Sequence, residues 1–536
     1  MPDSAPLVPA PGHTATPPPQ PAAPADPARS RRIAAEAAAL ADRFQPPSPT
    51  RRVFCNRTLN LRAIKTIGYD MDYTLIHYHV QQWEGRAYAH LQQRLLAQGW
   101  PILDLAFDPD RAMRGLVIDK LLGNLCKTNR FGYVKAACHG TRSLTLDELR
   151  AAYRDTLVDL ADTGRYVFLN TLFEISEGCM YAQLVDLVDR RTAPEVLAYP
   201  DLYRKVRYTL DRAHVEGELK AEILAHPERY VDLDPQLPLT LLDQRESGKK
   251  LMLITNSEWS YTNAMMGYAF DRFLPAGQTW RDLFALVVVS ARKPGFFHSA
   301  QPAMFEVVDE GAGLLRPVES GLREGAVYFG GSAQRVEKVL GLDGDQILYV
   351  GDHMLADVHQ SKKLLQWRTA LILREIETEL EATVAWRERQ ADIERKMAEK
   401  ERLEFAFSQF RVRRQRERMG YVTPLLAGED ASPGNPARGA KPGLDPTLHR
   451  ERSEPMNVLR ERLVELDAEI APLVGQAGQL HNKYWGLMMR AGNDKSLFAR
   501  LVEQHADVYT SRVSNFCAET PFVFLRSLRG SLPHDG

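Results

Sequence analysis

The chain has 536 residues, of which 44% are hydrophobic and 26% charged, as in an ordinary globular protein with more than one domain. Its 68 Lys and Arg residues balance 69 Asp and Glu residues, and the net charge of −1 gives no basic excess that would indicate nucleic-acid binding. No apolar run is long enough to span a bilayer, and the five scattered cysteines form no CxxC pair, so neither a membrane protein nor a zinc or disulfide framework is indicated.

The N-terminal segment, residues 1–30, is rich in proline and alanine. It lacks the basic start and apolar centre of a signal peptide, and it carries too few large apolar residues to bury a core. We therefore expect this segment to be disordered. The unpaired cysteines fit a reducing compartment, so we expect a cytoplasmic protein.

Four short apolar runs are predicted to be buried parallel strands. They are Ala63–Tyr69, Lys250–Ile254, Leu283–Val289 and Gln346–Val350. Because they alternate with helical patterns, they predict an α/β fold with a doubly wound, Rossmann-like parallel sheet, built from residues 31–77 and 246–374. Polar or charged residues follow each run at once, and ligands in such folds bind at the carboxyl ends of the strands. The sequence therefore predicts one shared site.

Two additions to this core are expected. Residues 78–245 separate the first two strands by more than a crossover helix requires, and amphipathic patterns such as Leu144–Ala161 predict a mainly helical cap domain. After the last strand, residues 375–425 and 447–536 predict a C-terminal helical extension, interrupted by a flexible Gly/Pro-rich linker at 426–446. The two helical parts could pack antiparallel or form subunit contacts.

Asp70 and Asp72 follow the first predicted strand. Side chains two residues apart on an extended segment point to the same side, and two neighbouring carboxylates repel unless a cation or a proton lies between them. Mg²⁺ accepts such oxygen ligands together with phosphate oxygens. One carboxylate could then serve as a nucleophile and the other as a general acid and base. A solvated pair of loop residues is the alternative for this motif taken alone.

Polar residues after the other three strands complete the predicted site. Thr255 and Asn256 lie at a strand-to-helix turn that is suited to binding phosphate oxygens. Lys293 precedes a Pro-Gly turn and could neutralise a phosphoryl group, although each motif alone also fits an ordinary loop. Asp352 could complete a magnesium site with Asp70, and Asp357 lies in the next helical turn.

The order of these motifs, DxDxT, then Thr, Lys and GDxxxxD, resembles the haloacid dehalogenase-like phosphatase superfamily, whose members carry a cap after the first motif. The longer segments DMDYTLIHY, ITNSEWSYTN, ARKPGFF and ILYVGDHMLADVHQSKK resemble the cytosolic purine 5′-nucleotidase family, which favours IMP and GMP. This resemblance covers about Arg52 to Pro533. It implies hydrolysis of a purine nucleoside 5′-monophosphate to a nucleoside and phosphate.

The resemblance also implies catalytic roles. Asp70 would form an aspartyl phosphate, and Asp72 would protonate the leaving 5′ oxygen and then activate water. Thr255 and Lys293 would hold the phosphoryl oxygens. The cofactor Mg²⁺ would be bound by Asp70, by the backbone carbonyl of Asp72 and by Asp352. The supporting residues near the phosphate and the metal would be Asn256 and Asp357.

Substrate selection is expected from the cap. Phe173 could stack on the base, and Arg207 and Asp211, four residues apart on a helix, could read the 6-oxo and N1–H edge of hypoxanthine or guanine. His214 and Lys220 complete the pattern that the family uses for the nucleotide. Without the resemblance, a surface ion pair and a core phenylalanine would explain the same residues.

One departure from the family pattern lies in this region. Glu174 stands where the family carries an asparagine that contacts the nucleotide, and an added carboxylate should weaken that contact or change its pose. A phosphatase of the same superfamily that acts on another phosphomonoester, such as a sugar phosphate, is therefore the alternative. Phosphoryl transfer to a second nucleoside is a further possible reaction, and a non-enzymatic scaffold is a third hypothesis. The helical extension predicts a homodimer or homotetramer, with no nucleic-acid or membrane partner.

Overall fold

The computed structural model describes residues 27–44, 46–195, 198–215, 217–298, 303–319, 321–420, 446–528 and 530. The predicted linker at 426–446 lies outside the described residues, except for Pro446, which begins a helix. Most of the predicted disordered tail, residues 1–26, also lies outside them. Its last residues are helical, because the helix Pro27–Ala41 begins there and continues through an alanine-rich sequence of high helix propensity. That helix belongs to a first unit that ends at Pro47, and a second unit begins at Ser48.

The second unit is built on a large mixed sheet, whose described strands lie in the spatial order Phe54–Cys55, Val508–Thr510, Arg368–Ile372, Ile347–Gly351, Thr66–Tyr69, Lys250–Ile254, Leu286–Val289, Val327–Gly330, Met304–Asp309 and Leu314–Pro317. The strands from Val508–Thr510 to Val327–Gly330 run parallel, and those at both edges are antiparallel. All four predicted strands are present, and each lies within three residues of its predicted bounds.

Both faces of this central sheet are buried. In the strand Lys250–Ile254, Leu251 and Leu253 belong to one hydrophobic cluster, whereas Met252 and Ile254 belong to another. Because successive side chains of a strand point to opposite faces, these are the two covered faces of a doubly wound sheet, and the predicted fold class is confirmed. The helices of this core are Trp259–Phe270, Gly295–His298, Ala333–Leu340 and Gln360–Leu365.

The insertion after the first catalytic strand is mainly helical, with the helices Val80–Ala97, Leu146–Tyr153, Ile175–Asp189, Tyr199–Val215, Glu218–Ala225, Pro227–Tyr230 and Gln236–Glu246. It also contains an antiparallel sheet that the sequence did not predict, in the order Arg142–Ser143, Val134–His139, Asn124–Thr128, Val117–Asp119 and Tyr166–Phe168. The helix predicted over Leu144–Ala161 ends at Tyr153, because the following chain turns onto this sheet, where Val158 N donates to Gly132 O at 2.9 Å.

The C-terminal extension contains the helices Ile376–Met419, Pro446–Ala477, Leu497–His505 and Phe516–Glu519. Its two long helices pack antiparallel, since Glu399 pairs with Arg462 while Thr378, nearer the start of the first helix, contacts His481 beyond the end of the second. The extension also contributes a strand that the sequence did not predict, because Val508–Thr510 pairs with Arg368–Ile372 in the central sheet.

The remaining short strand pairs are His77–Tyr78 with Val231–Asp232, Leu59–Asn60 with Phe524–Leu525, and Arg490–Ala491 with Asp494–Lys495. The first of these pairs joins the beginning of the insertion to its last part. Among the described helices, none is both long enough and apolar enough to cross a membrane.

Candidate active site

Asp70 lies at the carboxyl end of the strand Thr66–Tyr69, in the middle of the central sheet. Its backbone N donates to Val350 O on the neighbouring strand at 2.9 Å, which places Asp352 beside it. Thr255 follows the strand on the other side, whose Leu253 pairs with Tyr69. The chain order reverses across these strands, and this is the position at which doubly wound sheets bind ligands.

Lys293 reaches this point from the loop after the strand Leu286–Val289. Its Nζ lies 2.7 Å from Asp70 Oδ1 and 2.8 Å from Asp357 Oδ1, and it donates to the Tyr349 hydroxyl at 3.1 Å. Burial by itself would lower the pKa of Lys293, but the carboxylates of Asp357 and Asp70 outweigh it and raise that pKa well above its usual value. A permanent positive charge is therefore held against Asp70.

The loop that carries Lys293 is fixed by Asn256. The backbone N of Lys293 donates to Asn256 Oδ1 at 2.6 Å, and Asn256 Nδ2 donates back to Lys293 O at 3.1 Å. Thr255 is buried beside it, and its Oγ1 accepts from Ser257 N at 3.0 Å. Asn256 thus orients the lysine loop, while Thr255 lines the strand end next to Asp70.

A cluster of buried carboxylates occupies the same edge of the sheet. Asp70, Asp352 and Asp357 can each place one carboxylate oxygen within 4.8 Å of the others. Burial raises the pKa of Asp70, an effect that Lys293 opposes and Asp357 adds to. Burial likewise raises the pKa of Asp352 to about 7. Ionising these neighbouring carboxyl groups together is therefore unfavourable in the protein alone, and a divalent cation bound between them would remove that cost.

Gly351 allows this cluster to form. A Cβ at position 351 would lie 2.6 Å from Asp357 Oδ2, so a larger residue would displace that carboxylate. The next residues form a π-helical turn, Met354–His359, whose start is capped by His353 Nδ1 accepting from Ala356 N at 2.9 Å. The turn therefore places the second aspartate of the GDxxxxD motif, Asp357, next to the end of the strand Ile347–Gly351 that precedes it.

Asp72 lies close to Asp70 but binds other partners. Its Oδ1 accepts from the Tyr78 hydroxyl at 2.5 Å, and its Oδ2 accepts from Ser257 Oγ at 2.7 Å. Tyr73, which follows Asp72 directly, takes a left-handed φ of 54°, so the chain turns just after the two aspartates. The structure therefore gives the two carboxylates separate surroundings, one beside Lys293 and one beside hydroxyl groups.

Two of the predicted substrate residues lie next to this loop. The ring of Phe173 contacts Tyr73 edge-on, with 4.6 Å between ring centroids, and also contacts Trp83 at 5.4 Å. Lys220 Nζ lies 3.5 Å from Ser257 Oγ, the group that binds Asp72. Phe173 and Lys220 are therefore brought to the catalytic loop by the insertion.

Arg207 and Asp211 form a separate group within the insertion. Arg207 Nη1 donates to Glu177 Oε2 at 2.7 Å, and its Nε lies 3.3 Å from Asp211 Oδ1. Glu177 is fully buried, whereas the Arg207 side chain is 44% exposed. The guanidinium that was predicted to read a purine is thus already paired with a buried carboxylate. The side chain of His214 lies outside the described residues.

Glu174 stabilises the turn Leu172–Glu174, of which it is the last residue. Its Oε2 accepts from Asn170 N at 2.6 Å and from Thr171 N at 3.3 Å. Burial, with a further contribution from Glu177, raises its pKa to about 7. Its other oxygen, Oε1, lies 3.9 Å from Arg207 Nη1.

Sequence reasoning missed several groups that contact the predicted site residues: Arg114 and Thr171 on Asp352, Tyr78 and Ser257 on Asp72, Tyr349 on Lys293, and Glu177 on Arg207. Ser257 and Tyr349 stand within motifs that were already recognised, so their positions offered a signal. Arg114 and Glu177 come from segments with no recognised motif.

The chain is similar to several known proteins. A 5′-nucleotidase domain-containing protein of Dictyostelium discoideum is 25% identical over 495 residues, which cover 90% of this chain and 74% of that protein. A solved archaeal beta-phosphoglucomutase from Pyrococcus is similar over 58% of this chain and 86% of its own, with a TM-score of 0.28 and 10% identity. A solved haloacid dehalogenase-like hydrolase from Xanthomonas campestris is similar over 58% of this chain and 82% of its own, with a TM-score of 0.23 and 12% identity.

The family model of the 5′ nucleotidase family matches residues 53–536, which is nearly the whole chain. The chain therefore belongs to the 5′ nucleotidase family and is a phosphoric monoester hydrolase.

Proposed function

We propose that this protein is a magnesium-dependent 5′-nucleotidase that hydrolyses purine nucleoside 5′-monophosphates, IMP and GMP, through an aspartyl phosphate on Asp70. The observation that carries the proposal is the position of Lys293 Nζ, 2.7 Å from Asp70 Oδ1, beside the carboxylates of Asp352 and Asp357. A nucleophile, a phosphate-binding cation and a set of metal ligands thus meet at the carboxyl ends of parallel strands.

The residues at this site fit a magnesium ion. Asp70 and Asp352 would supply carboxylate oxygens and Asp72 its backbone carbonyl, and Asp357 places a further carboxylate within reach. Hard oxygen ligands of this kind are those that Mg²⁺ prefers. When bound, the ion would neutralise negative charge on the phosphate and on the carboxylates.

In the first step, a carboxylate oxygen of Asp70 forms a bond to phosphorus and the bond to the 5′ oxygen breaks. Lys293 and Thr255 hold the phosphoryl oxygens as charge develops on them. Asp72 gives its proton to the departing 5′ oxygen, so the nucleoside leaves as a neutral alcohol. The hydroxyl groups of Tyr78 and Ser257 fix the orientation of Asp72.

In the second step, Asp72 takes a proton from water, and the water oxygen attacks the phosphorus of the aspartyl phosphate. The bond between phosphorus and Asp70 breaks, which releases phosphate and restores the carboxylate. A nucleoside hydroxyl in place of water would give phosphoryl transfer, since the same base can accept its proton.

Recognition of the base would come from the insertion. Phe173 would stack on the purine, Arg207 and Asp211 would contact its polar edge, and Lys220 and His214 would bind the rest of the nucleotide. One observation favours the alternative, a different phosphomonoester such as a sugar phosphate. Arg207 is already paired with Glu177, so a purine has to compete for its donors.

A phosphate-release panel tests the proposal. Purified protein would be assayed with IMP, GMP, AMP, a pyrimidine nucleotide and a sugar phosphate, each with magnesium and with EDTA. We expect release from IMP and GMP to exceed the rest and to stop in EDTA. Equal rates across the panel would contradict the purine assignment, and unchanged activity in EDTA would contradict the metal site.

Two further parts of the proposal concern the whole protein. We also propose a homodimer or homotetramer, which sedimentation velocity would measure; a monomer at assay concentrations would exclude it. The free cysteines among the described residues are compatible with a cytoplasmic location, which fractionation would test.

A further inference from the structure

We propose that Arg114 is a positioning residue that holds Asp352 in place for magnesium and links metal binding to the insertion. This inference rests on the proposed magnesium site. Arg114 comes from the segment before the insertion strand Val117–Asp119, and its side chain is only 1% exposed. Charged side chains are seldom buried to this extent unless they are paired, so its partners indicate its function.

The guanidinium binds both the backbone and the side chain of Asp352. Nη1 donates to Asp352 O at 3.2 Å and to Ile372 O at 3.3 Å. Nη2 lies 3.5 Å from Asp352 Oδ2. Arg114 therefore fixes the carbonyl that precedes the π-helical turn, the end of the neighbouring strand and the carboxylate itself.

A second carboxylate keeps this arginine from acting as a simple competitor of the metal. Arg114 Nε lies 3.1 Å from Glu375 Oε1, at the start of the long C-terminal helix. Neither carboxylate oxygen of Glu375 accepts a hydrogen bond from the described residues, so the ion pair is what compensates its charge. Because Glu375 offsets the positive charge, Arg114 can orient Asp352 with little repulsion toward a cation.

The position of Arg114 is itself fixed by neighbouring parts of the chain. Gly115 has a left-handed φ of 91°, and a Cβ at that position would lie 2.7 Å from Phe498 Cβ. Gly115 N donates to Leu169 O at 2.6 Å, which leads into the turn where Thr171 Oγ1 donates to Asp352 Oδ2 at 3.0 Å. Asp352 is thus held by two residues of the insertion, while Lys293 and Asp70 are held by the core.

The planar fork of arginine is what this role requires. Two backbone carbonyls and two carboxylates surround the guanidinium, and a lysine ammonium could not contact all of them at once. Outer partners of metal ligands typically contribute 10- to 100-fold to metal affinity, so a loss of about this size is expected on removing Arg114.

Magnesium titration of the full-length protein by isothermal titration calorimetry tests the inference. Arg114→Met should weaken Mg²⁺ binding about 10- to 100-fold, and Arg114→Lys should restore only part of the affinity. Hydrolysis by Arg114→Met should need correspondingly more magnesium, with kcat at saturating magnesium largely retained. A purely structural role would lower kcat at every magnesium concentration and leave the binding constant unchanged.

The variants need controls for folding. Arg114→Met leaves the Glu375 carboxylate without its cation. The double variant Arg114→Met with Glu375→Gln removes both charges together. It replaces the single variant in the titration if the single variant does not fold. Arg165→Met is the control, because it breaks a different Arg–Asp pair that lies within the insertion, in which Arg165 Nη2 is 2.8 Å from Asp119 Oδ2. It should bind Mg²⁺ as the wild type does.

Asp352→Asn separates this inference from the proposed function. If Asp352→Asn binds Mg²⁺ as the wild type does, the proposed metal site is wrong. The proposed role of Arg114 is then wrong as well. If binding depends on Asp352 but folded variants at Arg114 bind within about twofold of wild type, only the role of Arg114 is overturned, since outer partners normally contribute more than this.

Discussion

Two ends of the candidate substrate site differ in how their charges are arranged. The phosphate end consists of Asp70, Asp352, Asp357 and Lys293, at the ends of strands of the central sheet. The base end consists of Phe173, Glu174, Glu177, Arg207 and Asp211, on helices and turns of the insertion. At the phosphate end, burial and crowding raise the pKa of Asp70 and Asp352, so their ionised forms are unfavourable until a cation binds. At the base end, Arg207 is already paired with Glu177.

This difference indicates that the reacting groups and the groups proposed to bind the base belong to different parts of the fold. Parallel strands fix the positions of the reacting groups. The carboxylates are therefore held close together although they repel one another, and binding of a metal ion and a phosphate would reduce that repulsion. Side chains on helices instead satisfy one another, and a ligand has to displace those contacts. Changes at the phosphate end should therefore affect every substrate, whereas changes at the base end should affect only some.

The largest expected effect is at the nucleophile. Asp70→Asn should lower kcat by at least about 10³-fold for a purine nucleotide and for p-nitrophenyl phosphate alike, because no covalent intermediate can form. Asp147→Asn, at an exposed aspartate on an insertion helix, is the control and should leave both rates unchanged. A wild-type rate with either substrate would show that Asp70 is not the nucleophile.

Lys293→Met comes next. Loss of the cation that faces the phosphoryl oxygens should cost about 10²- to 10³-fold in kcat with both substrates. Lys249→Met is the matched control, since Lys249 is also a buried core lysine but donates to Leu61 O and Ile64 O at 2.6 and 2.9 Å. Steady-state rates per folded molecule, with folding checked by circular dichroism, distinguish the two variants.

Magnesium should stabilise the phosphate end as well as activate it. A ligand present at 100 times its Kd raises the free energy of unfolding by about 2.7 kcal/mol when it binds only the folded state. We therefore expect Mg²⁺ to raise Tm in a thermal melt, and EDTA to reverse the rise and stop hydrolysis. Asp352→Asn should abolish the rise in Tm, and a rise that persists in this variant would place the ion elsewhere.

At the base end the effects should be smaller and selective. Arg207→Ala should lower kcat/KM for IMP and GMP about 10-fold and leave p-nitrophenyl phosphate unchanged, because only the purine edge would contact this side chain. An equal loss with the generic ester would show that the two ends are not independent. Asp211→Asn should act in the same direction.

The smallest effect concerns the pH dependence of stability. The pKa of Glu174 is about 7 in the folded chain and 4.5 as a free side chain, so folding favours its protonated form. Its contribution to stability is complete below pH 4.5 and is lost as the pH rises toward 7. Relative to wild type, Glu174→Gln should become more stable over this range by a difference on the order of 1 kcal/mol.

Urea unfolding at pH 5 and pH 8 measures this change. Glu381→Gln, at an exposed glutamate of the long helix, is the control and should show no such change with pH. A stability difference between Glu174→Gln and wild type that is the same at both pH values would contradict the buried, protonated state of Glu174.

The sequence alone predicted four of the central strands and the order of polar residues after them, but not the parallel strands Arg368–Ile372 and Val327–Gly330. It could do so because both signals are local: a buried strand is a short apolar run, and its end is marked by the first polar residue. It did not predict the insertion sheet, whose strands are short and in which Val134–His139 alternates only partly in burial. Nor did it predict that Val508–Thr510 joins the central sheet, since that pairing connects distant segments.

Tertiary structure decided the surroundings of each functional side chain. Asp70 and Asp72 are neighbours in sequence, yet one contacts Lys293 and the other Ser257 and Tyr78, because different loops pack against them. Local sequence determined which groups stand at the strand ends. Only the folded chain could decide that Arg114, 238 positions away, holds Asp352, because such a contact leaves no periodicity or motif in the sequence.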